Sequence, residues 1–297
     1  MNASDDNIPA AYSITHQHIA AVINTYLSRQ EPRDEKQEVR ILDMGCGNGR
    51  MMGHFSDVLP ALQYRYSFDV NGLDVVDAGQ QVEGFMDETI GFLSARHPRT
   101  DWRKKLTLTT ADEGWPYPDG SFDFITSNSV MEHVMDYDFV FREVARCLRP
   151  GGVCVHLFPT REVLWEGHAL MPIVHKIRDV DKRARYMRLF ARMGFTGHYK
   201  REMDRRDWKS VDEFARIFSR VLETDTNYIT EKKLTSVARA AELNISYRYT
   251  KDLFLAKAQS FVGKRSYTYR DLGVLERVAL IFCKRISSIT VSLEKSA

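Results

Sequence analysis

Cysteine is scarce and scattered. Cys46, Cys147, Cys154 and Cys283 are the only four, and no two form a C-x-x-C pair. That spacing excludes a disulfide frame and a zinc knuckle, and no other His, Cys, Asp or Glu grouping has metal-ligand spacing along the chain. No metal site is therefore expected. Long apolar runs are missing too: none approaches about 18 residues, so no membrane-spanning helix is expected. The opening Met1-Asn2-Ala3-Ser4-Asp5-Asp6 has neither a basic start nor an apolar core, and does not read as a signal peptide. Charge of one sign is not in excess. Forty-two Lys and Arg stand against 40 Asp and Glu, a net of +2, so total charge selects no partner. Internal repeats and low-complexity tracts are absent. With 43% hydrophobic residues in 297, the chain is of ordinary globular composition. It is long enough for one large domain or a domain with a sizeable insertion, and a cytoplasmic location is expected.

What is present begins at Val39-Arg40-Ile41-Leu42-Asp43-Met44-Gly45-Cys46-Gly47-Asn48-Gly49-Arg50. An apolar strand ends in an acid and breaks into alternating glycines. The apolar spacing of the next nine residues suits a helix. Strand, glycine turn and helix open a nucleotide-binding α/β fold. A dinucleotide fingerprint needs a third glycine or alanine where Arg50 stands. What remains is D-x-G-x-G-x-G. Glycines let backbone approach a ligand closely. Asp43, at the mouth of the strand, can accept from an ammonium. The pattern suits a ligand with a cationic amino-acid end and no pyrophosphate.

Ahead of this unit, residues 10–28 read as a helix that either covers the ligand or packs on the sheet. After it, a second strand is expected over 64–74, helix over 78–98, and a third strand over 106–110 running into Ala111-Asp112-Glu113. A Pro118-Asp119-Gly120 turn leads to a fourth strand at 122–126. Ser127-Asn128 stand at its carboxyl end, where ligands of open α/β sheets bind. A helix over 137–148, a stop at Arg149-Pro150-Gly151-Gly152 and a fifth strand at 153–158 follow.

The glycine string resembles motif I of the class I S-adenosylmethionine-dependent methyltransferases. The block from Pro118 to Gly152, with its P-x-G-S-F-D, E-H and L-R-P-G-G strings, resembles the same family in its small-molecule, type-11-like branch. The resemblance spans about residues 39–158. It implies a Rossmann-like, seven-stranded α/β methyltransferase fold with S-adenosylmethionine as cofactor. Asp43, Gly45, Cys46, Gly47, Asn48 and Gly49 would then hold its methionine end. Asp74, with Asp69 and Asp77 as alternatives, would take the ribose hydroxyls, and Asp112 the adenine amine. Asn128 completes the cofactor set.

Beyond Phe158 the pattern changes. Residues 160–229 read as a helical insertion after the fifth strand, with the core formed by 36–159 and 230–297 in a single domain over 1–297. Strands near 245–249 and 288–293 should finish the sheet. Between Lys176 and Lys209, twelve Lys or Arg face five acids, a net of +7 that leaves the remainder at −5. Such a field attracts anions. The expected acceptor is a small molecule, anionic or carrying a lipid- or nucleotide-linked glycan. Methylation is expected on oxygen, with His168 or Glu166 as base and His133 as a further candidate. His156 reads as a core residue, and His175 has no evident partner. A nucleic-acid methyltransferase gripping its substrate with the basic segment is the alternative. Against it, no RNA-binding module is recognisable and Asn-Pro-Pro-Tyr does not follow Phe124. The stretch 272–285, ending in Lys284-Arg285, suits peripheral contact with a membrane.

Overall fold

The computed structural model describes residues 8–9, 11–31, 36–76, 84–194, 210–270, 273–286 and 288–296. Five parallel strands form the core: β1 (Gln37–Met44), β2 (Tyr66–Val75), β3 (Leu106–Thr109), β4 (Phe122–Asn128) and β5 (Leu148–Phe158). Two late strands, β8 (Leu243–Ser246) and β9 (Ile289–Lys295), complete a seven-stranded sheet of order β3-β2-β1-β4-β5-β9-β8. β9 runs antiparallel to β5 and β8. The fold is the Rossmann-like one expected. Chain order reverses between β1 and β4, which opens a crevice at their carboxyl ends.

Alternation along the strands builds two cores. Val39 and Ile41 point to one face, and Leu42 and Met44 to the other. The first face is covered by α1 (Ile14–Leu27) and α2 (Arg50–Leu62). The second is covered by α4 (Tyr137–Cys147) and α7 (Glu231–Ala240), and α3 (Phe85–Arg96) packs beside α2. For the first helix the structure shows the packing alternative. Ser13 caps α1 by accepting from the His16 amide at 3.2 Å. Beyond its first turn α1 is buried, with His18 bonded to the Tyr269 hydroxyl at 2.8 Å and to Thr290 Oγ1 at 2.9 Å.

The segment between β5 and β8 has its own apolar cluster. Met171, Met187, Phe214 and Leu222 pack α5 (Val180–Arg192) against α6 (Val211–Thr224). It is not purely helical as expected: β6 (Trp165–Glu166) and β7 (Met171–Pro172) form a short antiparallel ribbon. Its last residues are pinned to the core. The Asn227 amide donates to the Glu132 carbonyl at 2.6 Å, and the Tyr137 hydroxyl donates to the Asn227 carbonyl at 2.9 Å. The basic cluster also changes character. Arg183 is buried and spends its guanidinium on the carbonyls of Ile177 and Ser219 and on Glu223. Arg188 meets Asp212 at 3.5 Å. Lys200, Arg201, Arg205, Arg206 and Lys209 lie outside the described residues.

The remaining helices are α8 (Thr250–Ser260) and α9 (Val274–Ile286). Among the described residues, no helix is long and apolar enough to cross a membrane. α9 does leave Val278, Ile281, Phe282 and Ile286 exposed at one-face helical spacing.

The insertion cluster is separate from the two sheet cores, so it should weaken separately. Phe214 is fully buried there. Truncation to alanine should cost about 3–5 kcal/mol. Hydrogen exchange on Phe214→Ala should show amides of 180–192 and 211–224 losing protection while β1 and β4 keep theirs.

Candidate active site at the strand-order reversal

Two cavities open at the carboxyl ends of β1 and β4 and share Gly45 and Asn128. The smaller, about 300 Å³, lies over the glycine turn and is lined by His16, Asp43, Cys46, Gly47, Asn48 and Met51 besides the shared pair. The larger, about 540 Å³, runs from Asp74 and Asp112 at one end to His133 and His168 at the other.

The turn takes its shape from left-handed backbone at Gly45 (φ 70°), Gly47 (φ 49°) and Gly49 (φ 69°). The end of β2 holds it. The Leu73 carbonyl accepts from the Gly45 amide at 2.7 Å, and Asp74 Oδ2 accepts from the Gly47 amide at 2.6 Å. A Cβ on Gly45 would come within 2.4 Å of Val130 Cγ2. A side chain there is thus excluded by the loop after β4, where the sequence had suggested exclusion by ligand. Gly49 lines neither of the two cavities and starts α2 against Thr89 and Leu93. Asn48 is exposed at the rim of the smaller cavity and accepts from the Arg50 amide at 3.3 Å.

Asp43 is 1% exposed, and its Oδ1 has no hydrogen-bond partner. Burial, reinforced by the neighbouring Asp74 carboxylate, pushes its carboxyl well above the usual range. Two acids at one rim, with one buried oxygen unpartnered, form a site short of positive charge. An ammonium group in the smaller cavity would supply that charge. Burial also raises Asp74, against the hydrogen bonds it receives from the Gly47 and Val75 amides.

Of the alternatives to Asp74, Asp69 lies away from the cavities in ion pairs with Lys105 and Arg40, and Asp77 lies outside the described residues. Asp112 is exposed at the far end of the larger cavity and accepts from Thr110 Oγ1 at 2.9 Å. Asn128 Oδ1 is buried without a partner where the two cavities meet.

At the opposite end two observations stand out. Glu166 is fully buried and already accepts from four donors: the His168 amide (2.9 Å), His168 Nδ1 (2.8 Å), the Ala169 amide (2.5 Å) and the Tyr228 hydroxyl. Burial alone would raise its carboxyl, but these bonds hold it below the usual range. In this arrangement it orients His168. Glu166 accepts from Nδ1–H, which leaves Nε2 as the other ring nitrogen, and against burial the Glu166 carboxylate raises the imidazole above its usual range. His133 Nδ1 likewise donates to the Asp225 carbonyl at 2.6 Å. The two rings lie 5.2 Å apart, centroid to centroid, edge to face.

The second observation concerns a grouping in space. Sequence spacing gave no grouping, yet one potential ligand atom each from Glu132, His133 and His168 fall within 4.8 Å of one another. Burial pushes Glu132 up to about 7.

His156 is the core residue expected, bonded to Ser127 Oγ at 2.7 Å, and burial lowers it to about 3. His175 does have a partner, the Arg161 carbonyl at 3.2 Å, and it stacks near Tyr228. Sequence reasoning missed three residues of the site. Glu132 was visible in the E-H string but had no role. Tyr228 is 62 residues from Glu166 and carried no local signal. His16 looked like one polar position on a packing helix.

A sequence profile described as a methyltransferase domain matches residues 15–245. Over 114 residues the chain is 33% identical to the 27-O-demethylrifamycin SV methyltransferase of Amycolatopsis mediterranei, covering 38% of this chain and 36% of that one. It is 28% identical over 169 residues to a probable S-adenosylmethionine-dependent methyltransferase of Mycolicibacterium smegmatis, covering 54% of this chain and 57% of that one. It is 32% identical over 114 residues to the malonyl-acyl-carrier-protein O-methyltransferase of Legionella pneumophila, covering 38% of this chain and 34% of that one. The aligned part thus spans between about a third and 57% of the length of these relatives. With the profile covering most of the chain, and the glycine turn, acids and strand order of the fold arranged as described, the chain belongs to the methyltransferase domain family, in its class I, S-adenosylmethionine-dependent form.

Proposed function

We propose that this chain transfers a methyl group from S-adenosylmethionine to an oxygen of a small-molecule acceptor. The observation that carries the reading is the junction of the two cavities at Gly45 and Asn128, with the buried, unpartnered Asp43 on one side and the paired imidazoles on the other. Asp43 and the turn from Gly45 to Asn48 would receive the amino-acid end of the cofactor. Asp74 would take the ribose hydroxyls, and Asp112 the adenine amine. S-adenosylmethionine supplies an electrophilic methyl carbon on a sulfonium, with a neutral thioether as leaving group. The protein's part is then to position the acceptor and handle the proton its hydroxyl must lose. His168, oriented by Glu166 and Tyr228, and His133, oriented by the Asp225 carbonyl, are the groups that would meet the reacting oxygen.

The larger cavity supports an acceptor whose reacting end is uncharged and largely apolar. Leu73, Val130, Val134 and Phe139 line it, and among the described residues no Lys or Arg does. An anionic or glycan-bearing acceptor would keep its charge outside, against the exposed Lys176, Arg178, Lys182, Arg185 and Arg192 of the insertion. A lipid-linked one would suit the apolar stripe of α9. Localisation in the cytoplasm remains part of this proposal. Nothing in the cavity favours a nucleic acid, which calls for cations along its path.

Two outcomes test this reading. Asp43 is raised by burial and by Asp74, with Cys46 and His16 as the other titratable groups facing the smaller cavity. Burial disfavours the charged carboxylate in the free protein, and a bound ammonium favours it. Affinity for S-adenosylmethionine should therefore rise with pH and level off above the raised value. Calorimetry on Asp43→Asn should show roughly 10- to 100-fold weaker binding at alkaline pH, and a flatter pH dependence. Equal affinity in the variant at every pH would reject the assignment.

The second outcome concerns the acceptor end, read by methyl-label transfer into fractionated cell extract. His168→Ala should lower kcat by about 100-fold or more while leaving cofactor affinity intact. Glu166→Gln, which only loosens the orientation of His168, should cost about 10-fold. Full activity in both variants would remove this end of the cavity from the reaction.

A further inference from the structure

We infer that Glu132, His133 and His168 form a binding site for a first-row divalent cation at the acceptor end of the larger cavity. The inference rests on the reading of that cavity as the acceptor's, and names what receives the acceptor oxygen there.

Three independent features converge. The first is distance: one ligand atom from each residue lies within 4.8 Å of the other two. Metal–nitrogen and metal–oxygen bonds of about 2.0–2.2 Å put ligand atoms roughly 3.3–4.4 Å apart around one ion, so small side-chain shifts close the site. The second is orientation. His133 spends Nδ1 on the Asp225 carbonyl, and His168 spends Nδ1 on Glu166. Each ring is left with Nε2 as its free nitrogen. Metal-binding histidines are held in this way by outer carbonyls and carboxylates. The third is an unsatisfied carboxylate. Glu132 is 2% exposed, and its Oε2 has no hydrogen-bond partner. A buried acid in that state is costly unless something cationic meets it.

Charge agrees with a cation. Glu132 and Glu166 bring two acids together at one end of the cavity, and among the described residues no Lys or Arg lines that cavity. Two imidazoles and one carboxylate are a mixed donor set that suits zinc, iron(II) or manganese better than calcium or magnesium. Three protein ligands leave further positions open, and His133 and His168 face the cavity. An acceptor hydroxyl bound at an open position would lose its proton to solvent. Its oxygen would then form the C–O bond as the S–C pair passes to sulfur. The balance is hydroxyl plus sulfonium giving methyl ether, thioether and one proton.

The site also joins two parts of the chain. Glu132 and His133 share the turn after β4, while His168 belongs to the insertion. Binding should therefore stabilise the insertion against the core, whatever the reaction.

The test uses the full chain, stripped with chelator and titrated with Co²⁺ or Zn²⁺. We expect about one ion per chain by elemental analysis, visible Co²⁺ absorption bands and a raised melting temperature. Glu132→Gln, His133→Ala and His168→Ala should each lose the bands, with circular dichroism reporting that the fold is retained. His97→Gln, at an unrelated site beside Asp57, should keep them. Glu166→Gln should bind roughly 10- to 100-fold more weakly. Absence of stoichiometric metal in the wild type, or bands that persist in His133→Ala and His168→Ala, would overturn the proposal. If no ion binds while methyl transfer still depends on His168, the cation fails and the acceptor reading stands. If the ion binds but no fraction is methylated, the site stands and the methyl-transfer reading fails.

Discussion

A buried pair of carboxylates at the rim of the sheet is the constraint on which the rest depends. Asp43 ends β1 and Asp74 ends β2, side by side where the chain reverses its strand order. Burial raises both. Asp74 is partly compensated because it accepts from the Gly47 amide, which ties the glycine turn to β2. Asp43 is helped only by a hydrogen bond with Thr126, and among the described residues its Oδ1 has no partner. A fold that keeps such a group at the floor of a cavity gives up stability there, and functional sites are where that happens. The alternating glycines follow from the same geometry. Gly45 must pass under Val130 at a distance no Cβ permits, and it does so in a left-handed conformation.

The second organising feature is the return of the insertion onto the turn after β4. Glu132 supplies a backbone carbonyl to the Asn227 amide, and Asp225 supplies one to His133. Tyr228, on the same returning segment, reaches Glu166 and His168. The histidine end of the larger cavity is thus assembled from the core turn and from both ends of the insertion. Glu166 meets four donors there and holds His168 through Nδ1. The same arrangement explains why an excess of basic residues in the insertion need not mean an anionic cavity ligand. Arg183 is an internal strut between α5 and α6, and among the described residues Lys176, Arg178, Lys182, Arg185 and Arg192 are exposed and line neither cavity.

Local features of the chain were sufficient for the fold and for the glycine turn with its neighbouring acids. The apolar run into Asp43, the glycine spacing and the acids closing β2 and β3 each act within a few residues of one another. Strand, turn and helix are dictated by backbone sterics and by apolar periodicity, which are local. Hence the first five strands lie near where their sequence suggests, and β8 and β9 shift by only a few residues. The glycine string nevertheless hid its division of labour, because Gly45 and Gly49 owe their identities to Val130, Thr89 and Leu93, neighbours that only the packed chain brings close.

The acceptor end was decided by tertiary structure. Glu166 and His168 look from their spacing like two exposed catalytic candidates on a loop. Whether either is exposed depends on Tyr228, 62 residues from Glu166, and on the β6–β7 ribbon that folds Glu166 inward. Glu132 and His133 are adjacent in sequence, yet their grouping with His168 exists only because the insertion closes back on the turn after β4. The sequence by itself determined the α/β architecture and the glycine turn with its acids, since both arise from local backbone and side-chain chemistry. Which acids are hydrogen-bonded, and how the two imidazoles are oriented, were decided by long-range hydrogen bonds, which no spacing along the chain encodes.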